Sequence, residues 1–347
     1  MRNRQFLRKL LIAAAISGVF AFPAESPNLQ QLSPATQVAA HSASVGMTLD
    51  EVIRLIKQNK KDLHQVASTV AATGVNFELD EKTELKLRKA GADEELLPEI
   101  WKATPQGKAH IQALLTSPTG VELQASPAEA LALQEIENQS DPNRRAQMAD
   151  EFEKKFPSSP LLSYVYTAAA KAQQEKGNLD QAIADARKSL KLDPDNTFSL
   201  ILLALALPQP KELQGSANEV SERLKEAVAD ANRALTLLDR LKQRPDETDG
   251  QFHERKGSLA ADAHFALGMA ETQQDQYVEA LTQYQLAISS TSTPTFQYYY
   301  RLAEAYASVG QVSQAIEALQ KASELGRGTP MQKYADDFMS ELRQRGH

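Results

Sequence analysis

Residues 261–325 contain one pattern written twice. The first copy reads ADAHFALGMAETQQDQYVEALTQYQLAIS and the second FQYYYRLAEAYASVGQVSQAIEALQKASE. At a constant offset of 35 residues, Leu267 falls on Leu302, Gly268 on Ala303, Tyr277 on Val312, Ala280 on Ala315, Tyr284 on Leu319 and Ala287 on Ala322, with no gap. Each copy shows apolar residues at helical spacing, interrupted once near its middle, so each predicts a helix, a turn and a second helix. A unit of this size cannot enclose its own apolar face. It folds only when stacked against further copies.

A third clean copy, SYVYTAAAKAQQEKGNLDQAIADARKSLKLDPDN, occupies residues 163–196. Gly177, Leu179, Ala182, Ala186, Leu190 and Pro194 hold its marked places. Small residues stand where the first helix of a hairpin, helix A, crosses the second, helix B. Larger ones such as Tyr277, Tyr284, Tyr299, Leu302 and Tyr306 fill the gaps between hairpins. Gly177 and Gly310 stand at the turn between helices, where Asp275 replaces glycine in the middle copy; a short polar residue tolerates that position. This pattern resembles the tetratricopeptide repeat, about 34 residues of helix–turn–helix. The resemblance runs from about residue 128 to 345. It implies an all-α fold: a tetratricopeptide-type superhelix of helical hairpins, an α-solenoid, preceded by a small helical module.

The chain divides accordingly. Residues 1–24 read as an export signal: Arg2, Arg4, Arg8 and Lys9 precede an apolar run over residues 10–22, too short for a membrane span of about 20 residues. The mature protein is therefore expected in the periplasm or secreted, with no membrane span left after cleavage. Residues 25–47, rich in Ser, Pro, Gln and Ala, predict a flexible linker. Residues 48–103 predict a four-helix module. Thr48 and Glu51 form a capping box, Gly74 and Gly91 close the second and third helices, and Asp93 caps the fourth, whose start Pro98 delays or kinks. Residues 104–126, with Pro105, Pro118 and Gly120, read as a second linker holding a short amphipathic piece over 110–116. Residues 127–346 are the repeat domain. Its hairpin after residue 196 is irregular: Pro208 and Pro210 break the chain after helix A, the partner helix runs over about 217–241, and residues 244–258 read as a charged loop. Residues 330–345 predict a helix that caps the stack.

Several chemistries are absent from the sequence. The formal net charge of -7 disfavours nucleic acid or an anionic membrane as partner, since both are held by clustered Lys and Arg. There is no cysteine, hence no disulfide, thiol nucleophile or thiolate metal site. No GxxxxGK[ST], GxSxG, SxxK or HExxH occurs, and the six histidines include no i,i+4 pair. The acidic run ending at Gly250 fails as a calcium loop, because Pro245 and Lys256 fall at its first and last ligand places. No cofactor or metal is called for.

The family resemblance implies a groove on the inner side of the stack, lined by helix A, that takes an extended peptide or a helix of a partner protein. Its positions fall on Tyr164, Thr167 and Lys171 in the first clean copy, on Asp262, Phe265 and Met269 in the next to last, and on Gln297, Tyr300 and Glu304 in the last. The family's carboxylate-clamp subset needs basic and Asn side chains at these places. Only Lys171 fits, so a receptor for chaperone tails is not expected. The function expected is a non-catalytic interaction scaffold or adaptor of the bacterial cell envelope. The alternative is an enzyme seated in or beside the N-terminal module, where Trp101, His64 and His110 are the unusual groups.

Overall fold

The computed structural model describes residues 46–345, apart from 119, 245 and 246. The expected export signal, and nearly all of the linker after it, lie outside the described residues. Sixteen α-helices make up the described chain, joined by turns and two isolated bridges.

The first four helices, α1 (Leu49–Gln58), α2 (Leu63–Thr73), α3 (Glu81–Ala90) and α4 (Leu96–Ala103), enclose their own core of Val52, Ile56, Val66, Val70, Leu87 and Ile100. Local chemistry sets their ends. Thr48 and Glu51 exchange the two bonds of a capping box, which satisfies amides that have no partner inside the helix. Asp93 accepts from the Leu96 amide at 2.8 Å. Pro98 falls in the first turn of α4, where its missing N–H leaves no bond unmade. Val75 pairs with Met47 in a single parallel bridge that closes the module.

Beyond this module the structure corrects two expectations. Part of the supposed linker is a helix, α5 (Pro105–Leu114), packed between α4 and the first helix of the repeats, α6 (Pro127–Asn138). Pro105 opens this helix rather than breaking the chain, because Thr104 caps it by accepting from the Gly107 amide at 2.9 Å. Gly107 is required there: a Cβ would stand 2.0 Å from the Trp101 carbonyl oxygen. The second correction concerns the charged stretch after the irregular hairpin. Most of it is the first part of a 25-residue helix, α12 (Asp249–Gln273). A capping box between Thr248 and Gln251 starts that helix early, and its Gly257 lets the backbone pass a carbonyl oxygen of Ser290 that a Cβ would meet at 2.3 Å.

The remaining helices stack as hairpins. They are α7 (Pro142–Lys155), α8 (Leu162–Glu175), α9 (Leu179–Leu192), α10 (Thr197–Ala206), α11 (Ala217–Leu238), α13 (Tyr277–Ser290), α14 (Phe296–Ser308), α15 (Val312–Leu325) and α16 (Pro330–Arg345). The pairs α8/α9, α12/α13 and α14/α15 are the three repeats, and α16 packs on the last of them. Their turns share one geometry. Gly177, Asp275 and Gly310 have φ of 75°, 61° and 79°. In each case the next residue's amide reaches back to a carbonyl five positions earlier, as Asn178 does to Gln173 at 2.8 Å, the bond that ends a helix with a left-handed residue. At the α12–α13 crossing, a Cβ on Gly268 would lie 2.6 Å from the Tyr284 ring. Tyr284 is fully buried, so the absent side chain makes room for a ring.

Candidate protein-docking surface

The nine residues predicted to line the groove do not share one surface. Asp262, Phe265, Met269 and Tyr300 are buried. Phe265 lies 4.9 Å from Tyr298 and 5.6 Å from Tyr284, ring to ring. Tyr300 stacks on Phe296 and meets Phe338 of the capping helix. These four side chains join consecutive hairpins and present no face to a partner in this conformation. The reason is that α10 and the cap cover the places that stay open in a regular, uncapped stack. Nearly every residue of α10, on all its faces, is buried, between α8 and α9 on one side and α11 and α12 on the other.

Asp262 is the most perturbed of them. Its Oδ1 accepts from the Tyr298 hydroxyl at 2.5 Å. Burial pushes its carboxyl up to about 7, with the Tyr298 bond working against that rise. Burial also raises the Tyr298 phenol, and the neighbouring Asp262 charge adds to it. An acid stripped of water and given one donor keeps its proton to higher pH than an exposed one.

Thr167 acts as a bolt. Its hydroxyl donates to the Ser163 carbonyl and lies 3.1 Å from the Ser189 hydroxyl and 2.7 Å from that of Ser199. It thereby ties α8 to α9 and α10. Like Thr167, the other four predicted residues, Tyr164, Lys171, Gln297 and Glu304, keep part of their surface open. They form two separate places. At the last repeat, Glu304 accepts from Arg301 at 2.8 Å, both largely covered, with Gln297 on the same helix. Near the first repeat, Tyr164 and Lys171 stand with two residues the repeat pattern did not point to, Glu137 and Arg244.

Electrostatics bring this second group together. Glu137 is exposed at its surface, yet protein around its carboxyl strips enough water to raise it, opposed by the charges of Arg244 and Lys171. Loss of water lowers the Lys171 ammonium, helped by Arg145 and opposed by Glu175 and Glu137. Burial, then the charges of Asp193 and Glu137, raise the Tyr164 phenol, with Arg244 opposing. Arg145 is itself buried, bonded to the Gln139 carbonyl at 2.8 Å and to Glu175 at 2.8 Å. The result is a surface group of mixed charge beside one phenol, suited to polar and charged groups of a peptide. Glu137 lies on a helix before the first clean repeat and Arg244 beyond an irregular one, so repeat spacing pointed to neither.

Among the described residues, no cluster of three or more His, Cys, Asp or Glu side chains could hold a metal ion. None of the described helices is long and apolar enough to cross a membrane.

The family described as "Tetratricopeptide repeat" matches the chain at residues 163–196 and 296–325. No curated protein matches it. Among solved structures, the chain is similar to TTC0263, a thermophilic tetratricopeptide-repeat protein of Thermus thermophilus, at 16% identity, with a TM-score of 0.44 over 62% of this chain and 99% of that one. It is similar also to the MamA protein, at 17% identity and a TM-score of 0.37 over 57% of this chain and 89% of that one. Yeast Tom70 is similar at 15% identity and a TM-score of 0.33, over 86% of this chain and 58% of the other. The chain therefore carries tetratricopeptide repeats, at residues 163–196 and 296–325, within an all-α stack of helical hairpins.

Proposed function

We propose that this protein is a non-catalytic scaffold that binds a peptide or a partner protein in the cell envelope after export. The observation that carries the reading is the stack of repeat hairpins, on which Glu137, Tyr164 and Lys171 keep surface open and the Glu137 charge acts on the other two. Repeat stacks act by presenting such surfaces on a rigid frame. The basic start and apolar run before residue 24 support export, and the site lies periplasmic or outside the cell. Gln297, with the open fraction of Glu304, forms a second point of contact at the last repeat.

A pull-down from an envelope extract tests it, using the mature protein as bait. Wild type is expected to enrich a defined partner, and Lys171→Glu to lose it by reversing a charge in that group. The same partner recovered undiminished by Lys171→Glu and by Gln297→Lys refutes the docking surface. The same experiment on Phe265→Ala reads packing rather than docking, since that ring is buried.

A further inference from the structure

The first clean repeat lacks two side chains that close the last one. Gly177 and Gly310 mark the same turn, and counting back from them puts Ala169 at the place of Leu302 and Gln173 at that of Tyr306. The middle copy has Leu267 where the first has Ala169. In the last repeat Leu302 is buried, and the Tyr306 hydroxyl accepts from Gln285 of α13 at 2.8 Å. The ring thus ties that repeat to the helix before it. At the first repeat the corresponding gap stays open. A cleft of about 440 Å³ runs between α7 and α9, which both pack on α8. Ala146 and Ala149 of α7 add little bulk to its wall. Its volume lies within the range of small-ligand sites.

The polar lining of this cleft is arranged around a cation. Three carboxylates, Asp150, Glu153 and Asp185, stand with two ammonium groups, Lys176 and Lys188. Asp185 is the least exposed of them, with 6% of its side chain open. Gln181 Nε2 and Lys188 Nζ both engage its Oδ1, at 3.0 and 3.2 Å. The same Lys188 Nζ lies 5.2 Å from the centre of the Tyr166 ring. That ring is fixed by its hydroxyl, which donates to Glu153 at 2.8 Å. An aromatic face beside a carboxylate attracts cations, and Lys188 shows this place holding one. Lys188 itself is loosely held, since 51% of its side chain is open and an ammonium on a long stem keeps its water readily. A guanidinium is flat and less hydrated, stacks on rings and grips a carboxylate through two N–H groups. It is the better occupant of the same place.

We propose that the cleft between α7 and α9 is a further docking point that takes an arginine side chain of a partner segment, the guanidinium replacing Lys188 over Tyr166 and pairing with Asp185. Lys188 then turns to solvent, and Asp150 and Glu153 supply negative charge from α7. Tyr166, Ala169 and Gln173 lie on the side of α8 opposite Tyr164, Thr167 and Lys171, because successive helical residues are about 100° apart. The cleft is therefore separate from the surface group of the proposed function. Its test needs no partner protein, so either reading can fail while the other stands.

The probe is N-acetyl-glycyl-arginyl-glycine amide, titrated into the full chain labelled with carbon-13 at its alanine methyl groups. The methyl signals of Ala146, Ala149 and Ala169 are expected to shift saturably, and the glutamyl counterpart of the probe to leave them in place. Lys188→Met, at an exposed position, removes the resident cation and is expected to tighten binding about fivefold. Asp185→Asn is expected to weaken it about tenfold. Ala169→Leu with Gln173→Tyr installs the residues of the last repeat; it is expected to abolish binding while keeping the melting temperature at or above that of wild type. The absence of a saturable shift with the arginyl probe overturns the proposal. So does a Lys188→Met variant that binds more weakly than wild type, the result an anion-binding cleft would give, and so does undiminished binding by a folded Ala169→Leu, Gln173→Tyr variant. The Lys188→Met comparison decides the matter if the filled variant fails to fold.

Discussion

Replacing Asp262 by Asn keeps an oxygen for the Tyr298 hydroxyl and removes the charge. The carboxyl is 6% exposed, and burial raises it from 3.8 to about 7. A group whose folded pKa lies above its unfolded value binds its proton more tightly in the native state. Between pH ~4 and ~7 the folded chain therefore holds a proton that the unfolded chain has released, and stability falls as pH rises through that window. At about 1.4 kcal/mol per pKa unit the full effect is about 4 kcal/mol, the Tyr298 bond included, and an upper figure for the variant, whose amide NH2 loses water on burial in its turn. At about pH 8 the Asn variant is expected to be more stable than wild type by roughly 2 kcal/mol, and near pH 4, where both side chains are neutral, the two are expected to agree within about 1 kcal/mol. Asp230 and Glu271 are also raised to about 7, both mainly by burial, so wild type alone does not isolate the effect. The difference between variant and wild type does. Urea unfolding followed by circular dichroism at the two pH values measures it. A variant less stable than wild type at the higher pH refutes the reasoning, because the ionised Asp262–Tyr298 pair would then be net stabilising.

Gly268→Ala is expected to cost about 1–3 kcal/mol or more in urea unfolding, because its Cβ would enter the Tyr284 ring at 2.6 Å and the ring is enclosed on all sides; an unchanged midpoint shows that the crossing can widen. Asp275→Gly is expected to stabilise by roughly 0.5–1 kcal/mol, since Asp275 holds φ 61° at a turn where the other two repeats have glycine, and a lower melting temperature refutes that. Arg145→Ala removes the guanidinium that ties the Gln139 carbonyl to Glu175; a loss of about 2 kcal/mol is expected, and a loss below about 0.5 kcal/mol assigns the pair no structural role.

The repeats were legible because their signal is periodic. Ala280, Ala287, Ala315 and Ala322 recur at crossings and are all fully buried, and the turn residues Gly177, Asp275 and Gly310 share one backbone geometry. Two stretches misled for opposite reasons. Pro105 is a helix breaker in most settings, and only the cap from Thr104 makes it an opener. Residues 249–258 carry charges and a glycine that weigh toward a loop, but a capping box and close packing at Gly257 outweigh them. The candidate surface was legible only in part, since the repeat pattern names inward positions without saying what covers them. Phe265 and Tyr300 point inward as expected, yet Tyr298 and Tyr284 cover the first ring, and Phe296 and Phe338 the second. The bond between the Lys242 amide and the Pro118 carbonyl left no trace in the spacing, because a single backbone contact has no period.

The irregular hairpin decides how a partner can use this stack. Ile201, Leu205, Leu238, Leu241, Phe265 and Met269 belong to one continuous core, so the middle of the inner side is filled by the chain itself. A peptide threading the whole length would have to expose these side chains. At about 1.5–3 kcal/mol for each large apolar group, that is roughly 10 kcal/mol or more, comparable to the whole stability of a typical domain. Binding energy of that size is rarely left over after association costs. On the proposed function, partners are then expected at two places: the Glu137–Tyr164–Lys171 group near the first repeat and the Gln297–Glu304 edge near the last. Two sites on one rigid frame can hold two partners, or two segments of one partner, at a fixed separation, and the second contact then benefits from a raised effective concentration.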